Sequence, residues 1–463
     1  MKAKRAVIVA NYADTDKNYG LLGPQMAATI IQKNTDYECI VVGIGHDFNR
    51  SSLKNHLIQL IGDEEPVIGF SNLGGRTDLW DFARGLTGEG WNTILAGPQS
   101  DVDFVGEVGH ESHPHRFSGA SSSFRFALHG PAEQLIPFLN NPHNKNFENL
   151  PGLLYLQGNK HKINPQAVWR DEFLNKVDWG NLYLFTASGI KPIKVSTGQI
   201  VQQIGCPYAC QSKEVSIDYP VNLGNGPFCK EGTIKLQIRG CSFCDVARDK
   251  GFAMTLSFES VMAQITNLPG DPDGRKIPFE LINEVPLPGL PRLLKSIQQQ
   301  KLKISQINLV TRADWLLVGK EQLIASLKMV QVMGARLLVS SLGFESFSNR
   351  ILQNLNKGYD FQTNIDAIKL MRELKEDFPN QLLYTTAEGA NHGFIHPTPW
   401  DSADTNRELN TNIFLYGLDH DVLPTTSVPL IIHHACALGD WARELETREG
   451  LALKRNGSII EWW

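Results

Sequence analysis

The chain has 463 residues, 42% of them hydrophobic and 20% charged, with a formal net charge of −5. That composition builds a globular protein with a sizeable core, and the length suggests roughly two to four domains. The mildly acidic balance, with a pI near 6.2, argues against nucleic acid as the partner, because proteins that grip nucleic acid carry a basic surface. No apolar run approaches the roughly 18–20 residues of a membrane span, so no membrane partner is expected.

The N-terminal MKAKRAVIVANYADTD lacks a long apolar region and a small-residue cleavage site, so RAVIVAN (5–11) reads as a first strand and not as a signal peptide. Helix-like GPQMAATIIQK (23–33), SSLKNHLIQLIG (51–62, with Ser51 as N-cap) and RTDLWDFARGL (76–86) alternate with strand-like ECIVVGI (38–44), PVIGFSN (66–72) and NTILAGPQS (92–100). Continuous apolar strands of this kind are buried in parallel sheets. The alternation predicts an α/β, flavodoxin-like doubly wound domain over residues 1–141, with a ligand site beyond the carboxyl ends of its strands. Residues 101–125 read as a polar, His- and Ser-rich surface loop or lid. FALHG (126–130) and PAEQLIPFLNN (131–141) read as the last strand and helix. Residues 142–196 read as a connector, with PGLLYLQGNKHKINP as a hairpin and RDEFLNKVDWGNLY as an extended strap.

From about residue 197 strand-like TGQIVQQIG runs into CPYAC (206–210). A polar excursion follows, then TIKLQIRG (233–240) as the opening barrel strand and CSFC (241–244). Strand and helix patterns then alternate through QLLYTTAEGANHGFI (381–395) as a fifth strand and TTSVPLIIH (425–433) as a sixth. About six βα units predict a parallel (β/α)6 partial TIM barrel over 197–420, with a barrel edge and tail over 421–463. Chemistry in such a barrel sits at the carboxyl ends of the strands.

Five of the seven cysteines, Cys206, Cys210, Cys229, Cys241 and Cys244, fall in one short region. A long chain with few cysteines is not a secreted disulfide scaffold, so a cytoplasmic metal or cluster site fits better. Soft thiolates suit zinc or an iron–sulfur cluster. One reading is a four-thiolate zinc knot of Cys206, Cys210, Cys241 and Cys244. Cys39 and Cys436 read as small buried apolar residues. A second candidate group, His392, His396, His433 and His434 with Asp401 and Asp404, lies at the predicted barrel rim. His396 and His433 are the candidates for acid–base work or substrate contact. Adjacent His433 and His434 cannot both face inward from a strand.

RGCSFCDVARDKGF followed by a helix beginning SFESV is similar to the cluster loop of radical S-adenosylmethionine (radical SAM) enzymes. SLGFESFSNRILQNLNKG (341–358) resembles the fourth strand and helix of the subgroup with an N-terminal cobalamin-binding domain. ILAGPQ (94–99), ALHGPAEQLIPFL (127–139) and PGLLYLQGN (151–159) resemble parts of that domain. The resemblance spans roughly residues 1–420. It implies a [4Fe–4S] cluster on three cysteines, S-adenosyl-L-methionine chelated at the open iron, and radical functionalisation of an unactivated carbon. Cobalamin-dependent methyl transfer is the most common outcome implied. It also implies an electron donor such as flavodoxin or ferredoxin and a small-molecule or peptide substrate.

The family's usual loop is CxxxCxxC, and here only Cys241 and Cys244 sit in the loop. The third ligand comes from Cys206, Cys210 or Cys229. If TIKLQIRG is straight, Cys229 lies over ~20 Å from Cys241, which favours Cys210 or Cys206. The resemblance further implies Glu345 at the ribose, Asn283 and Glu284 at the methionine amine, and Arg312 at a carboxylate of S-adenosylmethionine or substrate. The familiar cobalamin lower-ligand signature is DxHxxG. The corresponding NYADTDKNYGLLG holds no histidine, so a bound cobalamin would lack a histidine lower ligand there. The other function class is a zinc- or cluster-binding module that binds or senses a ligand without radical turnover.

Overall fold

The computed structural model describes residues 4–12, 18–62, 67–71, 74–141, 146–167, 174–224, 226–244, 253–424 and 427–463. Two compact units are present, Met1–Gly198 with Lys454–Ile459, and Gln199–Leu453 with Ile460–Trp463.

The first unit holds strands β1 (Lys4–Asn11), β2 (Tyr37–Ile44), β3 (Val67–Ser71), β4 (Asn92–Ala96), β5 (Phe126–Leu128), β6 (Leu153–Gln157), β7 (Lys160–Ile163), β8 (Leu182–Thr186) and β9 (Gly189–Pro192). They form one sheet in the order β7-β6-β5-β4-β3-β1-β2-β8-β9. The neighbouring pairs from β2 to β5 are all parallel. Their order, 2-1-3-4-5, is that of an open doubly wound sheet. Helices α1 (Leu22–Asn34), α2 (Arg50–Ile61), α3 (Thr77–Gly88), α4 (Ser100–Val105) and α5 (Ile136–Asn140) accompany it. The core packs Val7, Val9, Ile68 and Phe70 from the strands against Leu53, Leu57 and Leu79 from the helices. At the carboxyl edge the buried Arg76 side chain donates to Asn11 Oδ1, to the Ile44 and Gly45 carbonyls, and through Nε and Nη2 to Asp78.

Three expectations change here. The N-cap of α2 is Asn49, whose Oδ1 accepts from Ser52 N at 2.9 Å, and not Ser51, which is inside the helix. The stretch read as a connector adds four strands to the sheet, β6 and β7 at one edge and β8 and β9 at the other. Its strap residues 168–173 lie outside the described residues. The segment read as a surface lid contains α4 and puts Phe104, Phe117 and Phe124 into the core, so aromatic anchors override its polar composition.

The second unit holds β10 (Gly198–Val201), β11 (Gln203–Gly205), β12 (Ser212–Asp218), β13 (Asn222–Leu223), β14 (Gly226–Pro227), β15 (Thr233–Arg239), β16 (Ala253–Thr255), β17 (Phe279–Ile282), β18 (Gln306–Thr311), β19 (Arg336–Glu345), β20 (Leu382–Leu383), β21 (Gly393–Phe394) and β22 (Ile432–His433). Its helices are α6 (Phe258–Asn267), α7 (Leu290–Gln299), α8 (Ala313–Val318), α9 (Lys320–Met333), α10 (Asn349–Asn354), α11 (Phe361–Asp377), α12 (Ala403–Tyr416) and α13 (Ala437–Glu449). The main sheet runs β10-β17-β18-β19-β20, with β21 also on β19, and β17 to β21 pair in parallel. Among the described residues this is a shorter run of strands than six consecutive βα units.

The predicted barrel is corrected in three places. TIKLQIR is not a barrel strand: β15 pairs antiparallel with β12 in a two-stranded ribbon. Its alternation of Ile234, Leu236 and Ile238 with polar residues is the mark of a strand with one face in solvent. The expected fifth strand is broken into β20, beside Leu337 and Leu338, and β21, beside Gly343 and Glu345. A capped turn at 385–388 sits in the gap. The expected sixth strand contributes only β22, which is outside the barrel sheet.

The ribbon is anchored on its apolar face. Ile217 and Ile234 are fully buried against Trp400, Leu438, Trp441, Leu445 and Trp462. The Asp218 carbonyl accepts from Trp400 Nε1 at 3.0 Å and from Trp441 Nε1 at 3.1 Å. Ile234→Ala is therefore expected to lower stability by about 2–5 kcal/mol, read from urea unfolding of the full chain. A loss near zero would show that the ribbon is not packed as described.

Candidate active site

The carboxyl ends of the parallel strands deliver the candidate residues. Gln202 follows β10, Asn283 and Glu284 follow β17, Arg312 follows β18, and Glu345 ends β19. Cys206 follows β11, and Cys241 follows β15.

The cysteine loop is split by the ribbon. The chain leaves it at Cys210 and returns at Cys241. The ladder pairs Ser212 with Arg239, and continued outward that register sets Cys210 opposite Cys241. Arg239 Nη1 closes the mouth by donating to the Cys210 carbonyl at 2.8 Å. Gly240 has φ +66°, and a Cβ there would lie 3.1 Å from Ala209 Cβ, so a residue without a side chain suits this close return. The returning half is held by the segment after α10. Asn356 Nδ2 donates to the Gly240 carbonyl at 2.7 Å. Ser242 N donates to the Leu355 carbonyl at 3.0 Å, and Ser242 Oγ to the Asn354 carbonyl at 2.7 Å. Residues 245–252, the rest of the loop, lie outside the described residues.

The thiols divide into two groups. Burial raises the Cys241 pKa, opposed by Lys357 and Arg312, and the charge of Cys244 also acts on it. Burial raises that of Cys206 as well, followed by the Glu284 charge and, more weakly, that of Cys241. Cys206, Cys241 and Cys244 thus share one electrostatic neighbourhood. Cys210 turns its Sγ to the Cys206 carbonyl at 3.7 Å. Cys229 is exposed, beyond the far end of β15, as a straight strand requires. Among the described residues no three cysteine sulfurs lie within 4.8 Å of one another. Thiolates on a single tetrahedral zinc, at 2.3 Å from the metal, would stand about 3.8 Å apart.

Around Cys241 the wall is charged and dry. The Arg312 guanidinium is buried and lies 4.1, 5.0 and 5.1 Å from the ring centroids of Tyr208, Trp315 and Tyr359. Its Nε and Nη2 donate to Asp314 at 3.0 and 3.1 Å, and Nη2 donates to the Lys357 carbonyl at 2.6 Å. Nη1 points to Cys241 Sγ at 3.7 Å. Lys357 is buried, with Nζ 3.3 Å from Glu345 Oε1. Burial works against its charge, but Glu345 and Cys241 outweigh that and hold its pKa above the ordinary lysine value. Burial pushes the Tyr359 phenol up to about 12, against the pull of Lys357 and Arg312. Glu345 has φ +61°, a left-handed backbone unusual for a residue with a side chain. Its carboxylate lies between Gly343 and Gly393, where a Cβ at either position would come within 2.8 Å of a Glu345 oxygen.

The remaining candidates are placed as follows. Asn283 Nδ2 donates to Gln202 Oε1 at 2.7 Å, and its Oδ1 accepts from Val285 N at 2.8 Å. Glu284 N donates to Gln203 Oε1 at 3.1 Å. His396 is half-buried after β21, with Nε2 3.3 Å from Asn406 Oδ1 and 3.6 Å from Asp401 Oδ2. His433 is buried in β22, where Nδ1 accepts from Ala435 N at 3.2 Å and the ring lies 4.7 Å from that of His434. His392 is a framework residue: Nδ1 accepts from Leu342 N at 3.0 Å and Nε2 donates to the Tyr384 carbonyl at 2.7 Å. Sequence reasoning missed Tyr208, Lys357 and Tyr359. Lys357 sits in NLNKGYD, at the end of the same segment that supplied Glu345, and a lysine in an otherwise uncharged Asn-Lys-Gly turn was the available signal.

No family model matches this chain, and no curated protein sequence matches it. Its fold is similar to that of a solved structure, apo, selenomethionine-labelled OxsB, described as a cobalamin-dependent S-adenosylmethionine radical enzyme. The TM-score is 0.61 over 99% of this chain and 64% of that one, at 14% sequence identity. The chain thus spans under two thirds of that protein's length, and at this identity what the two share is the fold.

Burial lowers the His392 pKa from 6.5 to about 4. The unfolded ring therefore binds a proton in a window where the folded one does not. The stability His392 contributes is present above about pH 6.5 and is lost as pH falls toward about 4, by about 3 kcal/mol. The His392→Gln variant is expected to show a flatter pH dependence of unfolding free energy between pH 4 and 6.5 than the unmodified chain. Parallel curves would mean that the ring is not buried and neutral.

Proposed function

We propose that this chain is a radical S-adenosylmethionine enzyme whose [4Fe–4S] cluster is held by Cys206, Cys241 and Cys244. One observation carries the reading. With the ribbon taken out, Cys206-Pro207-Tyr208-Ala209 runs on to Cys241-Ser242-Phe243-Cys244, a CxxxCxxC loop that meets Arg312 at the carboxyl end of β18, and the β12–β15 register returns the chain to the point where it left. The donor set fits: three soft thiols in one neighbourhood, with two buried cations to offset thiolate charge. When bound, such a cluster would supply the electron for reductive cleavage of S-adenosylmethionine.

The chain's own residues prepare that site. Glu284, beside Cys206, would meet the methionine amine, and Asn283, braced by Gln202, fixes the turn that would present it. Glu345 would take the ribose hydroxyls, and Lys357 balances its charge, so that burial leaves no carboxylate unpaired. Tyr208, Trp315 and Tyr359 pack around the Arg312 guanidinium beside the loop. His396 at the rim is the acid–base or substrate-contact candidate, and His433 a more deeply buried second.

The first unit, with its 2-1-3-4-5 strand order, is the cobalamin carrier in this reading, supported by the similarity in fold to OxsB, a cobalamin-dependent enzyme, and by the resemblance of ILAGPQ and ALHGPAEQLIPFL. Its first βα segment offers no histidine, so the proposal is a cobalamin without a histidine ligand from that segment, serving methyl transfer. A reducing, cytoplasmic setting, a flavodoxin- or ferredoxin-type donor and a small-molecule or peptide substrate complete the reading.

The test is anaerobic reconstitution with iron and sulfide, followed by metal analysis and an assay for 5′-deoxyadenosine. About four irons per chain are expected. Cys206→Ala, Cys241→Ala and Cys244→Ala should lose both iron and product, whereas Cys229→Ala and Cys210→Ala should keep both. Zinc in place of iron, with no product, would overturn the proposal. Retention of hydroxocobalamin through desalting, seen in the visible spectrum, tests the first unit.

A further inference from the structure

Arg312 was expected to meet a carboxylate of a bound molecule, but its donors are already committed. Its carboxylate-matching edge, Nε with Nη2, is taken by Asp314, and Nη2 also holds the Lys357 carbonyl. Among the described residues the donor left facing the site is Nη1, and the atom it faces is Cys241 Sγ at 3.7 Å. The guanidinium has little freedom to turn elsewhere. Rings lie 4.1 to 5.1 Å away in Tyr208, Trp315 and Tyr359. Tyr208 is itself pinned through its hydroxyl to the Asn356 carbonyl at 2.8 Å, and Gly358 has no Cβ that would meet that hydroxyl. Lys357 adds a second buried cation on the same side, tethered to Glu345.

We propose that Arg312 is a positioning residue that donates a charge-assisted hydrogen bond to the Cys241 sulfur and, with Lys357 beside it, raises the reduction potential of the cluster held there. This rests on the reading of Cys206, Cys241 and Cys244 as cluster ligands. The physical reason is general. Three thiolates make the cluster anionic and one added electron makes it more so, so a buried cation and a donor to sulfur stabilise the reduced form more than the oxidised form. Arg312 and Lys357 are both buried, so the interaction is screened less than a surface contact would be. The couple concerned is one electron passing from a one-electron donor to the cluster, with no bond to the protein made or broken.

The experiment is a potentiometric titration of the reconstituted full-length protein, reduced stepwise by dithionite through mediators and followed by electron paramagnetic resonance, with iron and sulfide measured on every sample. Arg312→Gln is expected to take up the same iron and to titrate at a more negative potential. Arg312→Lys, which keeps the charge and loses the fork, should fall between the two. Lys357→Met alone strands Glu345, so the folded comparison is Lys357→Met with Glu345→Gln, which removes one charge of each sign and is expected to shift the potential less than Arg312→Gln does. An exposed control, Arg448→Gln, should leave the potential where it was. Arg312→Gln with full iron and an unshifted potential would overturn this inference and leave the cluster assignment standing. Failure of the unmodified chain to hold iron would overturn both.

Discussion

A chain that leaves a ligand loop for a long excursion must come back within about a residue of where it left, or the loop ceases to exist. Here the return is set by the antiparallel register of β12 with β15, which carries Cys241 to the place opposite Cys210. The register is in turn set by burial. Ile217 and Ile234 have to face the tryptophan-rich core formed with α13, and a slip of one residue would turn both to solvent. The double acceptance of Trp400 and Trp441 by the Asp218 carbonyl fixes the ribbon along its length as well as across it. Packing remote from the thiols thus sets where Cys241 returns along the chain that left at Cys210.

The second dependence is electrostatic. Two cations and two carboxylates are buried or half-buried around Cys241, a costly arrangement unless each charge is paired and the geometry is good. Lys357 with Glu345 and Arg312 with Asp314 meet that condition. Two glycines, Gly343 and Gly393, leave the space the Glu345 carboxylate occupies, and the left-handed backbone at Glu345 aims it there. Such strain on a residue with a side chain is maintained where the surroundings over-determine it, often at functional sites. The Lys357 carbonyl, the Asn356 amide and the Leu355 carbonyl come from one short stretch and hold Arg312, Gly240 and Ser242 respectively. That stretch links the charge wall to the cysteine loop.

What could be read from the sequence followed from period and spacing. The parallel strands of the first unit were legible because they are continuous apolar runs. The carboxyl-end placement of Asn283, Arg312 and Glu345 was legible because each follows such a run. The role of TIKLQIR was misread although its alternation was visible, because a strand directly before a CxxC suggests a barrel strand more strongly than its own one-sided pattern suggests a ribbon. The break between β20 and β21 was hidden because QLLY and HGFI each read as strand, and only the capped turn with Glu388 on Lys375 and the Tyr384 and Thr385 amides separates them. Cys206 could not be chosen over Cys210 without the register. Lys357 was invisible as a site residue because its function depends on a partner twelve residues away that the left-handed turn at Glu345 brings to it.

If these thiols form one loop that holds a four-iron cluster able to meet S-adenosylmethionine, electron paramagnetic resonance of the dithionite-reduced, reconstituted chain with and without S-adenosylmethionine will show it. The expected result is the signal of a reduced four-iron cluster whose g-values move when S-adenosylmethionine is added. A signal indifferent to S-adenosylmethionine, or none from protein that retains its iron, would contradict it.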